Sequence, residues 1–259
     1  LGIDPWARGL AWKENPSAER LRGFRVAVIG AGMGGINAAV LLKQAGVPFF
    51  VIEKNADVGG TWLENTYPGC RVDSSNHMYS YSFEPNHLWP QHFSTQPVLL
   101  KYFQDVAARY DLKKHIRFET EVKEMVFEEA RAIWKVRLAP NSGPEEWVEV
   151  DAVITAVGQL NRPRFPEIKG RERFKGAAFH SAQWRHDVDL TGKKVIVIGT
   201  GASAFQFVPE IAPKVGSLTI FQRTPPWVFP TPNYHEYVPE GKKWTLESVP
   251  YYDKWYRFY

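Results

Sequence analysis

The chain has 259 residues, 44% hydrophobic and 23% charged, a balance that suits a folded protein and excludes a disordered one. Its 32 basic and 28 acidic side chains are dispersed and leave a net charge of +4, too little to point to nucleic acid. The single cysteine, Cys70, excludes an internal disulfide and fits a cytoplasmic protein, and no apolar run is long enough to predict a membrane helix.

Residues 1–22, which include Trp6 and Trp12, read as a lead-in arm. Phe24-Arg-Val-Ala-Val-Ile29 is a short apolar run and predicts a buried strand, which runs into Gly30-Ala-Gly-Met-Gly-Gly35. Residues 36–45 have helix-forming composition and stop at Gly46. Phe49-Phe-Val-Ile52 predicts the next strand, ending at Glu53. This is a βαβ unit. From Asp57 to about Pro97 the chain is rich in Gly, Pro, Ser, Asn and aromatics, a long stretch of the kind that carries function. A helix is predicted over 98–110, followed by short strands over 116–119, 122–127, 133–138 and 147–150, a small β insertion. Ala152-Val-Ile-Thr-Ala-Val157 is a further buried strand ending at Gly158.

Residues 159–170 hold two prolines, Pro163 and Pro166, and read as a linker. A second βαβ start occupies 193–222, with its own turn, Gly199-Thr-Gly-Ala-Ser-Ala204. Beyond Arg223, proline-rich turns lead into a segment with no clear period. The fold class expected is α/β, with two Rossmann-like dinucleotide-binding units. The domains expected are an arm over 1–22, a first nucleotide domain over 23–160, a linker over 161–173, a second nucleotide domain over 174–240, and the start of a helical, aromatic segment over 241–259. The aromatic run from Tyr251 to Tyr259 reads as interior sequence. The chain is therefore expected to be a piece of a longer protein, and by itself to aggregate, to dimerise, or to pair with a second polypeptide.

The glycines have mechanical reasons. Gly30 makes the tight turn, Gly32 admits a pyrophosphate against the backbone, and Gly35 lets the helix pack on the strand; Met33 and Gly34 complete the turn. The helix N-terminus then offers N–H groups to phosphate. Glu53, at the end of the next strand, is placed to accept ribose hydroxyls, which points to a nucleotide without a 2′-phosphate, such as FAD. Gly60, Thr61 and Trp62 follow with backbone amides and an aromatic plane, and Gln159 closes a later strand. In the second turn Gly199, Thr200, Gly201, Ala202 and Ser203 form the phosphate cradle. There Arg223 and Thr224 stand where an acid would, and a guanidinium suits the 2′-phosphate of NADP. Two dinucleotides on one chain point to a flavoprotein reduced by NADPH.

Several motifs resemble those of Baeyer–Villiger flavin monooxygenases. They are Gly59-Gly-Thr-Trp62, Tyr67-Pro-Gly-Cys-Arg-Val-Asp73, Tyr79-Ser-Tyr-Ser-Phe83, and the signature Phe174-x-Gly176-x-x-x-His180-x-x-x-Trp184. Tyr67 to Asp73 and Gln222-Arg-Thr-Pro-Pro-Trp227 are most similar to the 4-hydroxyacetophenone monooxygenase type. The resemblance covers residues 23 to about 240. It implies an NADPH- and O2-dependent conversion of ketones to esters or lactones through a C4a-peroxyflavin, with a small-molecule substrate, no nucleic-acid partner and no membrane. It also implies that Asp73 positions an arginine beyond the present chain, that His180 organises the domain junction, and that Arg71, Asp73, Tyr79 and Val122 join the cofactor-binding set. Arg185 departs from the family pattern, which has Pro or Asp after the tryptophan. Two alternatives stay open: an N- or S-oxygenating flavin monooxygenase, and a cofactor-binding fragment without turnover.

Overall fold

The computed structural model describes residues 16–258, so Trp6, Trp12 and most of the expected arm lie outside the described residues. The chain divides into two compact units. One takes residues 16–63, 81–84 and 100–161; the other takes 64–80, 85–99 and 162–258.

In the first unit, strands β1 (Val26–Ile29) and β2 (Phe49–Ile52) flank helix α1 (Met33–Gln44) and pair in parallel, Val26 opposite Phe49 and Ile29 opposite Ile52. Both strands are rich in β-branched residues, with two aromatics in β2, and β1 is buried throughout, as a parallel strand covered on both faces must be. Helix α1 buries Gly35, Ile36, Ala39 and Val40, a stripe at helical spacing. It stops in a Schellman arrangement. Gly46, at φ +69°, donates its N–H to the Lys43 carbonyl (3.1 Å), and the Val47 N–H reaches the Leu42 carbonyl (3.0 Å). The helix begins at Met33 rather than Ile36, because Gly34 and Gly35 form its first turn.

A one-turn helix α2 (Thr61–Glu64) interrupts the glycine-rich stretch. Helix α3 (Gln96–Arg109) then runs from the second unit's share of the chain into the first. It is followed by β3 (Ile116–Arg117), which pairs with β2. An antiparallel sheet of β4 (Thr120–Glu128), β5 (Ile133–Pro140) and β6 (Glu146–Val150) is the expected insertion. The chain then returns as β7 (Ala152–Thr155) beside β1, giving a four-stranded parallel sheet in the order β3-β2-β1-β7. The two sheets share one core: Ala27, Ile29 and Ile52 from the parallel sheet meet Val136, Leu138 and Val150 from the antiparallel one. Arg131–Glu149, Lys135–Glu128 and Arg137–Glu124 pair across the exposed face of the insertion. Such exposed, solvent-screened pairs add little stability and serve mainly to hold register.

In the second unit, β8 (Lys194–Ile198) and β9 (Ser217–Phe221) pair in parallel around helix α4 (Ala202–Ile211), which buries Ala204, Phe207 and Ile211. The segment with no clear period includes helices α5 (Glu240–Ser248) and α6 (Tyr252–Phe258). Residues 64–99 have little regular structure before α3, and polar side chains order them. Asn76, fully buried, donates through Nδ2 to the Gln91 carbonyl and Ser94 Oγ (2.6 Å each) and accepts from the Ser94 N–H (3.0 Å). A loop held in this way satisfies its backbone without a ladder. Arg257 of α6 donates to Ser80 Oγ (2.8 Å) and to its carbonyl (2.9 Å). Beside that contact His77 is 4% exposed, its ring edge-on to Tyr256 at 5.1 Å, and neither ring nitrogen has a hydrogen-bond partner among the described residues. No described helix is long and apolar enough to cross a membrane.

Candidate functional site

The first glycine turn leaves the carboxyl end of β1 and is packed backbone to backbone. Gly30 has φ +98°, and a Cβ there would lie 2.7 Å from the Ala156 carbonyl oxygen beyond β7. A Cβ on Gly35 would lie 1.8 Å from the Gly30 carbonyl oxygen, and one on Gly60, at φ +54°, would lie 2.8 Å from Gly32 Cα. The Gly59 N–H donates to the Ala31 carbonyl (3.0 Å), so the Val58–Gly60 loop is stitched to the turn. Gly32 caps α1 with no side-chain hydrogen bond and no acid in the first turn, which leaves amide N–H groups and the positive helix end for an anion. This is a cradle that side chains would fill, and it fits a pyrophosphate. Met33 lends its carbonyl to the Tyr81 hydroxyl (2.7 Å), which ties the Tyr79–Phe83 motif to α1.

Glu53 follows β2 and is 4% exposed. Its Oε2 accepts from the Ala31 N–H (2.7 Å), and its Oε1 accepts from the Asn55 N–H and Nδ2 (2.8 Å each). Three protein donors thus occupy a carboxylate that offers about four acceptor sites. Trp62 is buried on α2, Thr61 and Gln159 are exposed, and Val122 lies on β4 and packs against the shared core.

The second turn is open where the first is tight. Gly199 has φ +103° and Gly201 caps α4, yet a Cβ on either would meet no atom within 4 Å. Thr200 Oγ1 accepts from Gln222 Nε2 (2.9 Å), which joins the turn to the end of β9. Ala202 is exposed and Ser203 half-buried at the start of α4, and Ala204 fills the third glycine position with a buried methyl. Arg223 and Thr224 are exposed just past β9, and among the described residues no side-chain hydrogen bond or ion pair engages Arg223. The two turns therefore end in opposite chemistry: a buried carboxylate with three of its acceptor sites taken after β2, and a guanidinium with no side-chain partner among the described residues after β9.

The Tyr67–Asp73 motif belongs to the second unit. Arg71 is half-buried, with its Nη1 donating to the Tyr234 carbonyl (3.1 Å) and its guanidinium 5.4 Å from the Tyr234 ring centre. Asp73 is exposed at the end of this loop, and Tyr79 is half-buried. Cys70 is buried, and that burial pushes its thiol pKa up, so it stays a protonated packing residue. His180 caps the short 3-10 turn at Ser181–Gln183 by accepting the Ala182 N–H at Nδ1 (3.1 Å), and its ring stands edge-on to Phe165 at 5.7 Å. Trp184 packs on Phe207 of α4 at 5.2 Å, while Phe174 is 59% exposed. His180 and Trp184 of the signature are thus held by contacts within the second unit. Arg185 pairs with Asp187 in its own loop. Among the described residues no group of His, Cys, Asp and Glu forms a metal cluster.

Gln206, which no sequence motif marks, bonds through its amide to Tyr67, Arg71 and Tyr234. Its only local signal is a polar residue between Phe205 and Phe207 on α4.

The flavin-binding monooxygenase-like family matches residues 23–240. The chain is 47% identical over 207 residues to a Baeyer-Villiger monooxygenase of Streptomyces coelicolor, covering 80% of this chain and 39% of that protein. It is 42% identical over 227 residues to a Baeyer-Villiger monooxygenase of Pseudomonas aeruginosa, covering 87% and 42%. Among solved structures, OTEMO in complex with FAD and NADP superposes with a TM-score of 0.79 at 39% identity, covering 86% of this chain and 43% of that one. An oxidized steroid monooxygenase bound to NADP gives 0.77 at 37% identity, covering 86% and 42%. The chain spans about two fifths of the length of these relatives.

Proposed function

The chain belongs to the flavin-binding monooxygenase-like family, and from that premise we propose that its protein is a Baeyer–Villiger monooxygenase that uses FAD, NADPH and O2 to convert ketones into esters or lactones. The observation that carries this reading is the opposed chemistry of the two glycine turns, Glu53 behind one and Arg223 behind the other. The first turn, with Gly30, Gly32, Gly35 and Gly60, holds FAD by amide N–H groups and the α1 helix end, and Glu53 meets the ribose through its remaining acceptor site. The second turn holds NADP, with Gly199, Gly201 and the α4 end on the phosphates and Arg223 on the 2′-phosphate. When bound, FAD supplies the redox and oxygen chemistry, so no protein nucleophile is needed. Asp73 acts as a positioning residue for a cation near the reacting centre, and His180 and Trp184 keep the junction ordered.

The test is the visible spectrum and substrate profile of the purified protein. FAD should be released on denaturation, NADPH should bleach the flavin band anaerobically, and an aryl ketone should yield its ester. Oxidation of amines or sulfides with no ketone turnover would move the reading to N- and S-oxygenation. Protein that neither carries nor takes up FAD would end it.

A second expectation concerns Arg223→Ala. Loss of a charge-assisted contact should raise the NADPH KM by about ten- to a hundredfold and leave the NADH KM nearly unchanged. Equal losses with both coenzymes would assign Arg223 to the fold instead.

A further inference from the structure

In the second unit, the Gln206 side chain of α4 fastens two other stretches of chain to that helix. Its Oε1 accepts from the Tyr67 hydroxyl (2.9 Å) and from the Arg71 N–H (3.3 Å). Its Nε2 donates to the Arg71 carbonyl (2.9 Å) and to the Tyr234 hydroxyl (2.8 Å). One amide therefore satisfies both backbone polar groups of Arg71, as a neighbouring strand would, and those two bonds fix which end is oxygen. Burial pushes the Tyr67 phenol pKa up, so it remains a donor at neutral pH.

The loop also lies hard against the helix backbone. Gly69 has φ +75°, and a Cβ there would sit 2.6 Å from the Gln206 carbonyl oxygen and 2.8 Å from the Glu210 side chain. The Tyr67 ring meets Phe207 edge-on at 6.2 Å. Arg71 then leans on Tyr234, and Asp73 follows two residues on. Gln206 lies about one turn into α4 from the uncapped end that forms the second glycine turn.

We propose that Gln206 is a positioning residue that makes the order of the Tyr67–Asp73 loop depend on occupancy of the second glycine turn, given that this turn takes the phosphates of NADP as proposed above. A ligand that stiffens the first turns of α4 stiffens the amide that holds Arg71, and the loop loses its freedom at the same moment.

Amide hydrogen exchange on the FAD-loaded full-length protein, with and without NADP+, reads this residue by residue. In the unmutated protein NADP+ should slow exchange over 199–204, and about tenfold at the Arg71 N–H. In Gln206→Leu the slowing over 67–73 should vanish while that over 199–204 persists. A side chain with only a structural role would raise exchange in both states and leave the NADP+ effect at Arg71 intact. If Gln206→Leu does not fold, Tyr67→Phe, which removes one of the four bonds, should shrink the NADP+ effect at Arg71. An unchanged effect at Arg71 in the variant that folds overturns the role of Gln206, as does slowing over 199–204 of the unmutated protein with none at Arg71. No slowing over 199–204 in the unmutated protein overturns the NADP site itself, and this coupling with it.

Discussion

Gly35→Ala should unfold the first unit rather than merely weaken a cofactor. The added methyl would sit 1.8 Å from the Gly30 carbonyl oxygen and 2.9 Å from its carbon, and both are backbone atoms at the end of a buried strand. No rotamer change relieves that overlap, so α1 must leave β1 and uncover Ile36, Ala39 and Val40. The loss should exceed about 4 kcal/mol, the range reached by core disruption. That is a large share of the roughly 5–15 kcal/mol that holds a domain together. Gly201→Ala is the contrasting variant, because its methyl meets nothing within 4 Å. It should keep the original unfolding free energy to within about 1 kcal/mol while weakening NADPH. Chemical denaturation with flavin content measured on the same samples tests the pair. A Gly35→Ala protein as stable as its parent would show that the first turn can open at little cost.

The second large effect is acid sensitivity set by His77. Burial, with smaller contributions from Lys242, His92, His87 and Arg257, lowers its pKa from 6.5 to about 4. The folded chain therefore keeps this ring neutral at a pH where the unfolded chain protonates it. Between pH 6.5 and about 4 the unfolded state binds one more proton, so stability falls as pH falls, by up to about 3 kcal/mol in all. Above pH 6.5 the group has no effect. His77→Leu removes the titrating ring, so the slope of stability against pH should become shallower by one proton's worth across that window. Acid loss from carboxylates is common to both proteins and cancels in the comparison. Identical slopes in the two proteins would rule His77 out as the sensor.

The regular elements around each glycine turn were legible because local chemistry fixes them. The β2 strand falls where its apolar run lies, α3 starts two residues earlier than the pattern implied, and β4 and β5 each run slightly longer than predicted. In the antiparallel sheet, pairing carries Thr120 and Pro140 into a ladder that propensity alone would leave out. Within the segment expected to be helical and aromatic over 241–259, the bounds of α5 and α6 were not legible, since their only strong signals are a preceding proline and scattered aromatics. Residues 64–99 looked structureless for a different reason. Their order comes from bonds such as Asn76 to Ser94 and Arg71 to Gln206, which join residues far apart in sequence and leave no period to read. The same limit hid Gln206 and the isolation of His77. Glu53 could be found at the strand end, but its three protein partners could not.

Those partners make the two turns unequal as material for change. Replacing Glu53 strips acceptors from the Ala31 and Asn55 amides in a buried place, so a substitution there is tested first by folding and only then by ligand choice. Arg223 answers to nothing in the described fold, so its replacements are tested by ligand choice alone. Under the proposed assignment, a lineage or an engineer can redraw nicotinamide preference one residue at a time. The flavin preference is inherited with the scaffold.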